Sequence, residues 1–152
     1  MIQRKQSIYL LLASILFACL FFQPVDLLTI NGEGINKSPL LLFGDTVFDI
    51  YDNTTFIVLA GTIAAIILIT IFLYNNRKLQ INLSKISIAL IIAFIAIAIY
   101  FTFNDLSSIE SNYTINPRIG AFLPFASILL LFFAIRGIRK DDKLVKSMDR
   151  LR

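Results

Sequence analysis

The sequence predicts an all-α integral membrane protein, a bundle of four transmembrane helices with a small β-hairpin or meander in its first loop and an amphipathic helix at its C-terminus. Of the 152 residues, 57% are hydrophobic and 16% are charged, against roughly 45–50% and 25% in an average soluble domain. The apolar residues also form four continuous blocks and do not follow the period of 2 or 3.6 that amphipathic strands and helices show. We therefore expect a single membrane domain over residues 1–152.

The first apolar block covers about residues 8–23 and follows a basic start that contains Arg4 and Lys5. Its length is at the short end of the roughly 17–25 residues that a transmembrane helix needs. A cleavable signal peptide is the competing interpretation, because it has the same basic start and short apolar run. The block ends in Phe21-Phe22-Gln23-Pro24 without a small-residue cleavage site, so we expect an uncleaved span.

Three further blocks are predicted to cross the membrane, at about residues 56–74, 86–103 and 119–135. Small residues spaced four apart on one helix face let two helices approach closely. The candidate helix-packing positions are Gly61, Ala65, Ala89, Ala93 and Pro124. Packing within the chain is the expected use of these positions, and a seam that faces a partner is the alternative. We also expect Pro124 to kink or locally unwind the fourth helix.

The segments between the blocks divide sharply by charge. Residues 1–7, 75–85 and 136–152 carry twelve of the 14 Lys and Arg residues, whereas residues 23–55 and 104–118 carry two of them and seven of the ten acidic residues. Short loops rich in Lys and Arg remain on the cytoplasmic side of a membrane. The pattern predicts that both termini are cytoplasmic, which requires an even number of spans.

The longer outer loop, residues 24–55, contains short β-like segments around turn residues. Residues 26–30, 40–43 and 46–51 favour strands, and Asn31-Gly32-Glu33-Gly34 is typical of a turn. We expect a hairpin or a three-stranded meander that rests on the helix ends, because small sheets are marginally stable alone. The second outer loop has one strand-like piece around Tyr113-Thr114-Ile115.

The tail, residues 136–152, changes from apolar to basic within one residue and holds seven of the 14 basic residues. Leu144, Met148 and Leu151 recur at helical spacing, and most of the cations lie elsewhere on the helical wheel. Such a basic amphipathic helix is suited to lying on an anionic inner leaflet. The candidate lipid- or partner-binding residues are Arg136, Arg139, Lys140, Lys143, Lys146 and Arg150. An orientation anchor and a docking site for a cytoplasmic protein are both compatible with this pattern, and no motif indicates nucleic acid.

The sequence offers little catalytic chemistry. It has no histidine and one cysteine, and none of the four predicted spans contains Asp, Glu, Lys or Arg. Ionisable residues at membrane depth usually mark proton or ion pathways, so their absence argues against a proton-coupled transporter. We predict no catalytic, cofactor or metal residues, and we interpret Glu33, Asp45, Asp49 and Asp52 as a solvated acidic surface and not as a calcium loop.

Several segments resemble a family of small bacterial membrane proteins. They are the start Met1-Ile-Gln-Arg4, the middle Asn76-Arg-Lys-Leu-Gln80, the segment Gly120-Ala-Phe-Leu-Pro124 and the basic end of the chain. The chain is similar along its full length to a domain-of-unknown-function family of four-span proteins typical of Bacteroidetes. The resemblance implies a bacterial inner-membrane location and brings no activity, substrate or site residue.

Two classes of function remain open from the sequence. The leading hypothesis is a non-catalytic accessory or scaffold subunit of a membrane assembly, with a membrane-protein partner or a second copy of the chain. The alternative is a small-molecule or lipid transporter or binding protein that uses a cavity between helices near Gly61, Pro124 and Ser127. An enzyme that acts through loop carboxylates is the least favoured.

Overall fold

The computed structural model of the protein describes residues 3–22, 25–32, 46–74, 76–107 and 113–149. This part of the chain is mostly helical, with a small antiparallel sheet at one end of the helices. The helices are α1 (Gln3–Ala18), α2 (Thr54–Phe72), α3 (Arg77–Leu106) and α4 (Ile119–Asp149), and a 3-10 turn at Cys19–Phe21 extends α1. The strands are β1 (Leu28–Gly32), β2 (Val47–Phe48) and β3 (Tyr113–Pro117).

Three of the helices are long and apolar enough to cross a membrane. They are α2, α3 and the Ile119–Val145 part of α4. The apolar helical stretch Gln6–Phe21 is shorter than the roughly 20 residues that usually span the hydrocarbon core. The predicted combination of apolar helices and a small sheet is therefore confirmed.

The helices begin where the sequence supplies caps and bury one face each. The side chain of Asn53 accepts a hydrogen bond from Thr55 N (2.9 Å) at the start of α2, and Asn76 accepts one from Leu79 N (3.3 Å) at the start of α3. Such caps satisfy backbone donors that lack a partner in the first turn. The buried residues of α2 recur at steps of three and four, as one inward face requires, and are Phe56, Ala60, Ile63, Ile67 and Thr70.

The sheet joins the segment between α1 and α2 to the segment between α3 and α4. The strand order is β2-β1-β3, and both pairings are antiparallel, with Leu28 opposite Phe48 and Ile30 opposite Ile115. The predicted antiparallel pairing within the first loop is present, but Asn31 and Gly32, which the sequence predicts as turn residues, lie in β1 and pair with β3. The strand predicted near Tyr113 supplies the third strand from the second loop. Residues 33–45, which include the predicted strand at 40–43, lie outside the described residues.

The core beneath the sheet is built on aromatic side chains. The Phe56 ring lies 5.1 Å from the Phe48 ring, 5.6 Å from the Phe94 ring and 5.9 Å from the Phe101 ring, measured between centroids, in edge-to-face geometry. Phe17 of α1 joins the same cluster through Phe94, at 5.7 Å. Edge-to-face pairs add to the energy of burial, so this cluster ties β2, α1, α2 and α3 together.

The helix order around the bundle is α4-α1-α2-α3, and α3 also packs on α4, so each helix has two neighbours. The two most extensive interfaces are those of α1 with α4 and of α1 with α2. A Cβ atom added to Gly137 of α4 would lie 2.9 Å from Cγ of Gln6 of α1, so the absence of a side chain permits the close approach of these helices. The α3–α4 interface is the loosest of the four.

The fourth helix differs from the predicted pattern of a span followed by a separate amphipathic helix. It continues from Ile119 through Pro124 to Asp149, a length of about 46 Å at 1.5 Å per residue. Ala134 and Ile138 are both buried, so the inward face of α4 passes without a break through the change from apolar to basic sequence. The tail helix is therefore a continuation of the fourth helix, directed along its axis.

Candidate functional site

The described part of the chain contains a cavity of about 280 Å³ between α3 and α4, directly below the sheet. Buried Phe48 and Phe94 form its deep wall, and exposed Ile99, Phe103 and Phe125 form its rim. The remaining lining residues are Leu27, Leu28, Ile95, Ala98, Thr102, Ile115, Ala121 and Pro124. Because the rim residues face outward from two apolar helices, the cavity opens at the side of the bundle.

The cavity exists because small side chains face each other across the α3–α4 interface. Ala98 of α3 and Ala121 of α4 both line it, and neither reaches far from its helix. Pro124 is buried in the same wall. Close packing would otherwise fill a void of this size, since protein interiors contain few voids larger than a water molecule.

Thr102 contributes the one polar side chain among the residues that line the cavity. Its hydroxyl donates a hydrogen bond to the carbonyl oxygen of Ala98, at 2.8 Å, within the same helix. This donor is therefore already used, and the cavity presents an almost wholly apolar surface. A site of this kind takes hydrocarbon and does not take a charged or strongly polar molecule.

A second depression, of about 470 Å³, lies on α4 at the opposite end of the bundle. Its lining residues are Phe132, Ile135, Arg136, Arg139, Lys140 and Lys143. We call the four cations of this set the basic face. None of the four side chains has a hydrogen bond or an ion pair to another residue within the described part of the chain, so their charges face solvent.

A polar cluster joins three helices at this basic end. The side-chain amide of Gln6, which is 5% exposed, donates a hydrogen bond to Oδ2 of Asp141. Nη1 of Arg77 donates a hydrogen bond to the backbone carbonyl oxygen of Asp141, at 2.9 Å. Asp141 of α4 thus connects α1 and α3, and its Oδ1 is buried without a hydrogen-bond partner among the described atoms.

The structure brings together four of the predicted lipid- or partner-binding residues, which are the cations of the basic face. The Lys146 side chain and all of Arg150 lie outside the described part of the chain. Among the predicted packing positions, Gly61 contacts α1's 3-10 extension, since a Cβ there would lie 3.7 Å from Cζ of Phe21.

The other small residues do not share one role. Ala93 is half-buried and Pro124 is buried. Ala65 and Ala89 are exposed on the surface of the bundle, so they do not pack on another helix of the described chain. The helical register of α2 puts Ala60 on the buried face instead, because Ala60 and Ala65 are five residues apart and point in different directions.

The acidic residues before α2 serve a local structural purpose. Oδ2 of Asp52 accepts a hydrogen bond from Asp49 N, at 2.7 Å, and Oδ1 of Asp49 accepts one from Tyr51 N, at 2.6 Å. Glu33 and Asp45 lie outside the described residues. Within the part of the chain that the structure describes, no group of three or more His, Cys, Asp or Glu residues is placed to hold a metal ion.

Sequence reasoning missed the cluster of Gln6, Arg77 and Asp141. Gln6 and Asp141 are 135 residues apart, so no local spacing connects them. Arg77 and Asp141 were counted only as charges that set the orientation of the chain. The one available signal was the pair Asp141-Asp142 inside a segment rich in basic residues.

The three apolar helices, the sheet over one end and the basic face at the other indicate a small helical membrane protein. More specifically, the chain belongs to the family described as a domain of unknown function, DUF4293, whose family model matches residues 2–151. The resemblance to a domain-of-unknown-function family is thereby confirmed. Comparison with curated proteins and with solved structures gives no significant match.

Proposed function

We propose that this protein is a non-catalytic membrane protein that binds the acyl chain of a membrane lipid in the cavity between α3 and α4. The observation that carries the proposal is the side-opening apolar cavity, with Thr102 as its single polar side chain and that hydroxyl already hydrogen-bonded. A cavity that opens between membrane-spanning helices faces hydrocarbon, so a lipid chain is its nearest occupant.

The size of the cavity supports an acyl chain. Its volume, about 280 Å³, is roughly twice that of an engineered apolar cavity of about 150 Å³ that binds benzene. Small-molecule sites usually add a few placed polar groups that orient the ligand. This cavity offers none beyond Thr102, which favours a ligand recognised by its hydrocarbon part.

The proposal includes a location and an orientation. In it, all four helices cross a bacterial inner membrane, both termini are cytoplasmic, and the sheet lies on the periplasmic side. The support is the charge distribution, since twelve of the 14 basic residues belong to segments at one end and such segments remain cytoplasmic. The 3-10 extension of α1 lengthens its apolar stretch to Gln6–Phe21, which a thin or locally thinned bilayer can accommodate.

Photocrosslinking with a phospholipid that carries a diazirine in its acyl chain tests the proposal. We expect crosslinks at the deep-wall residues Phe48 and Phe94 in the wild-type protein, because bulk lipid reaches the exposed rim but not these buried side chains. Ala98→Phe fills the cavity and should remove the crosslinks at the deep wall. Ala89→Phe is the matched control, because Ala89 is exposed on the same helix and does not line the cavity.

A second variant that fills the cavity helps to distinguish loss of lipid binding from failure of the protein to fold. Thr102→Ile adds an apolar group to the same wall, and the thermal unfolding midpoint of each variant in mild detergent shows whether it folds. Crosslinks that persist at Phe48 and Phe94 in folded Ala98→Phe or Thr102→Ile, or that are absent from these two residues in the wild-type protein, would overturn the proposal.

The accessory or scaffold subunit is a second candidate, and the far end of α4 favours it. Val145 is 37% exposed and lies on the side of α4 that carries buried Ile138 two turns earlier. It extends the inward face of α4 past the point where Gln6 of α1 packs. An apolar helix face that extends beyond the end of its neighbouring helix is available for contact with another protein.

A pull-down from native membranes separates the two candidates. The full chain is compared with a truncation that lacks residues 144–152 and keeps Asp141. A stoichiometric partner that is lost on truncation supports the accessory role. Recovery of the chain alone in both forms, with lipid attached, contradicts the accessory role and leaves the lipid-binding proposal.

A further inference from the structure

The basic face lies on the side of α4 that points away from the bundle. The opposite side of the same turns carries Ala134 and Ile138, which are buried, and Gly137, which packs on Gln6. Arg136, Arg139, Lys140 and Lys143 are spaced three and four residues apart and therefore share one face. They are held outward by the packing of the other side.

These four cations repel one another in the absence of an anion. Side chains three or four positions apart on a helix have Cβ atoms about 5–6 Å from each other. The spacing produces four pairs of like-charged neighbours, which are Arg136–Arg139, Arg136–Lys140, Arg139–Lys143 and Lys140–Lys143. Such pairs destabilise a helix, and an anion bound between them relieves this cost.

The acidic residues of the same segment do not neutralise the basic face. Asp141 points toward the bundle, where its carboxylate accepts from Gln6 and its backbone carbonyl accepts from Arg77. Asp142 is half-buried and already has a partner of its own. The cations therefore remain available to a ligand.

The position of the basic face selects a membrane lipid over a soluble anion. Phe132 lies one turn before Arg136 on the same face, lines the same depression and is 59% exposed. Leu129, which lies about one turn before Phe132, is 61% exposed. The depression thus runs from apolar surface to four cations over about three turns, which matches the change from acyl chain to phosphate in a phospholipid.

We propose that the basic face and Phe132 form a binding site for the headgroup of an anionic phospholipid with two phosphate groups. Arginine forks bind phosphate oxygens in pairs, and lysines add compact positive charge. Four cations match two phosphates and exceed what one phosphate requires. This site lies at the opposite end of the bundle from the apolar cavity and does not depend on the function proposed for that cavity.

Native mass spectrometry of the full chain in mild detergent, titrated with cardiolipin or with phosphatidylglycerol, tests the proposal. We expect the wild-type protein to bind cardiolipin more tightly than phosphatidylglycerol when the two lipids are compared at equal total charge. Arg136→Gln combined with Arg139→Gln should weaken cardiolipin binding roughly thirtyfold, because each cation near a membrane surface contributes on the order of 1 kcal/mol. Lys78→Gln combined with Lys85→Gln is the charge-matched control, since both side chains are exposed on α3.

Each outcome decides the question. Weaker cardiolipin binding in the double arginine variant, but not in the double lysine variant, supports a defined site. Equal weakening by both pairs means that diffuse positive charge alone binds lipid, which overturns the proposal. Equal binding of the two lipids overturns the requirement for two phosphates, and full displacement by inorganic phosphate overturns the commitment to a lipid.

The two sites are separable by experiment. The double arginine variant should leave crosslinking at the deep wall of the cavity unchanged, and Ala98→Phe should leave cardiolipin binding unchanged. A failure of the cavity proposal therefore does not remove the headgroup site.

Discussion

Asp141 connects three helices at the basic end of the bundle. Its carboxylate accepts a hydrogen bond from the buried amide of Gln6, and its backbone carbonyl accepts one from Arg77. An amide buried without an acceptor costs free energy because it has left water without a replacement bond. This single acidic residue therefore helps to hold α1 against α4 and turns the neighbouring cations outward.

Asp141→Ala should lower the free energy of unfolding in mild detergent by about 1–3 kcal/mol, because the Gln6 amide loses its acceptor. The backbone bond from Arg77 remains in this variant. Asp141→Asn keeps one acceptor oxygen and should recover part of the loss. Ser147→Ala is the control, since Ser147 is exposed and its hydroxyl donates a hydrogen bond to Leu144 O within its own helix. Equal stability of Asp141→Ala and Ser147→Ala would contradict this role.

At the scale of elements, the sheet is attached to α4 through the backbone. Gly120 N donates to Asp26 O, at 3.0 Å, and Arg118 N donates to Leu27 O, at 3.0 Å. A Cβ at Gly120 would lie 2.5 Å from Asp26 O and 2.9 Å from Asp26 C. Because those are backbone atoms, the strand would have to move, so only glycine fits this junction of β1 and α4.

Gly120→Ala should destabilise the fold by about 1–3 kcal/mol, the usual cost of forcing extra atoms into a packed site. Gly61→Ala is the comparison, because its Cβ would lie 3.7 Å from Cζ of Phe21, an ordinary contact distance, and alanine favours a helix interior. Thermal unfolding of both variants in the same detergent gives the measurement. Equal stability of Gly120→Ala and Gly61→Ala would show that the strand adapts.

Phe56→Ala should cost about 3–5 kcal/mol of unfolding free energy, because it removes a fully buried ring that contacts β2 and α3. Phe72→Ala on the same helix is the control, since Phe72 is 70% exposed, and it should change stability by no more than about 0.5 kcal/mol. Chemical unfolding followed by circular dichroism measures both. Similar losses of unfolding free energy in the two variants would indicate that the aromatic cluster does not stabilise the core.

At the scale of the whole molecule, the two ends of the bundle are chemically different. One end has the sheet, the apolar cavity and the acidic turn before α2. The other end has the polar cluster and the basic face on α4. This separation of charge along the bundle is what the orientation proposal rests on, and it places the two proposed lipid contacts in opposite leaflets.

Cysteine labelling tests the orientation and the number of spans. In a Cys19→Ser background and in right-side-out vesicles, an impermeant thiol reagent should modify Asn31→Cys at the sheet end. It should not modify Ser147→Cys or a cysteine added at the N-terminus, because positive segments remain inside. Permeabilised vesicles provide the control for reactivity. Labelling of the N-terminal cysteine together with Asn31→Cys would mean that α1 does not cross the membrane.

Much of the fold was predictable from local sequence. Apolar blocks marked α2, the apolar part of α3 and α4, and short β-like segments marked the positions of β1, β2 and β3. Hydropathy missed the first part of α3, where Gln80 and Ser84 are buried, because their polar atoms are hydrogen-bonded to Thr70 O and Gln80 O. Hydropathy responds to residue type and not to such bonds.

The sequence by itself determined the apolar helices, the division of charge between the two ends, and the four cations that share one face of a helix. These features depend on residues that are close together in the chain. Only the tertiary structure decided that β3 completes the sheet of the first loop, that Gln6 meets Asp141, and that Ala98 and Ala121 leave a cavity between α3 and α4. Each of these joins residues far apart in the chain, and such contacts follow from the packing of whole helices.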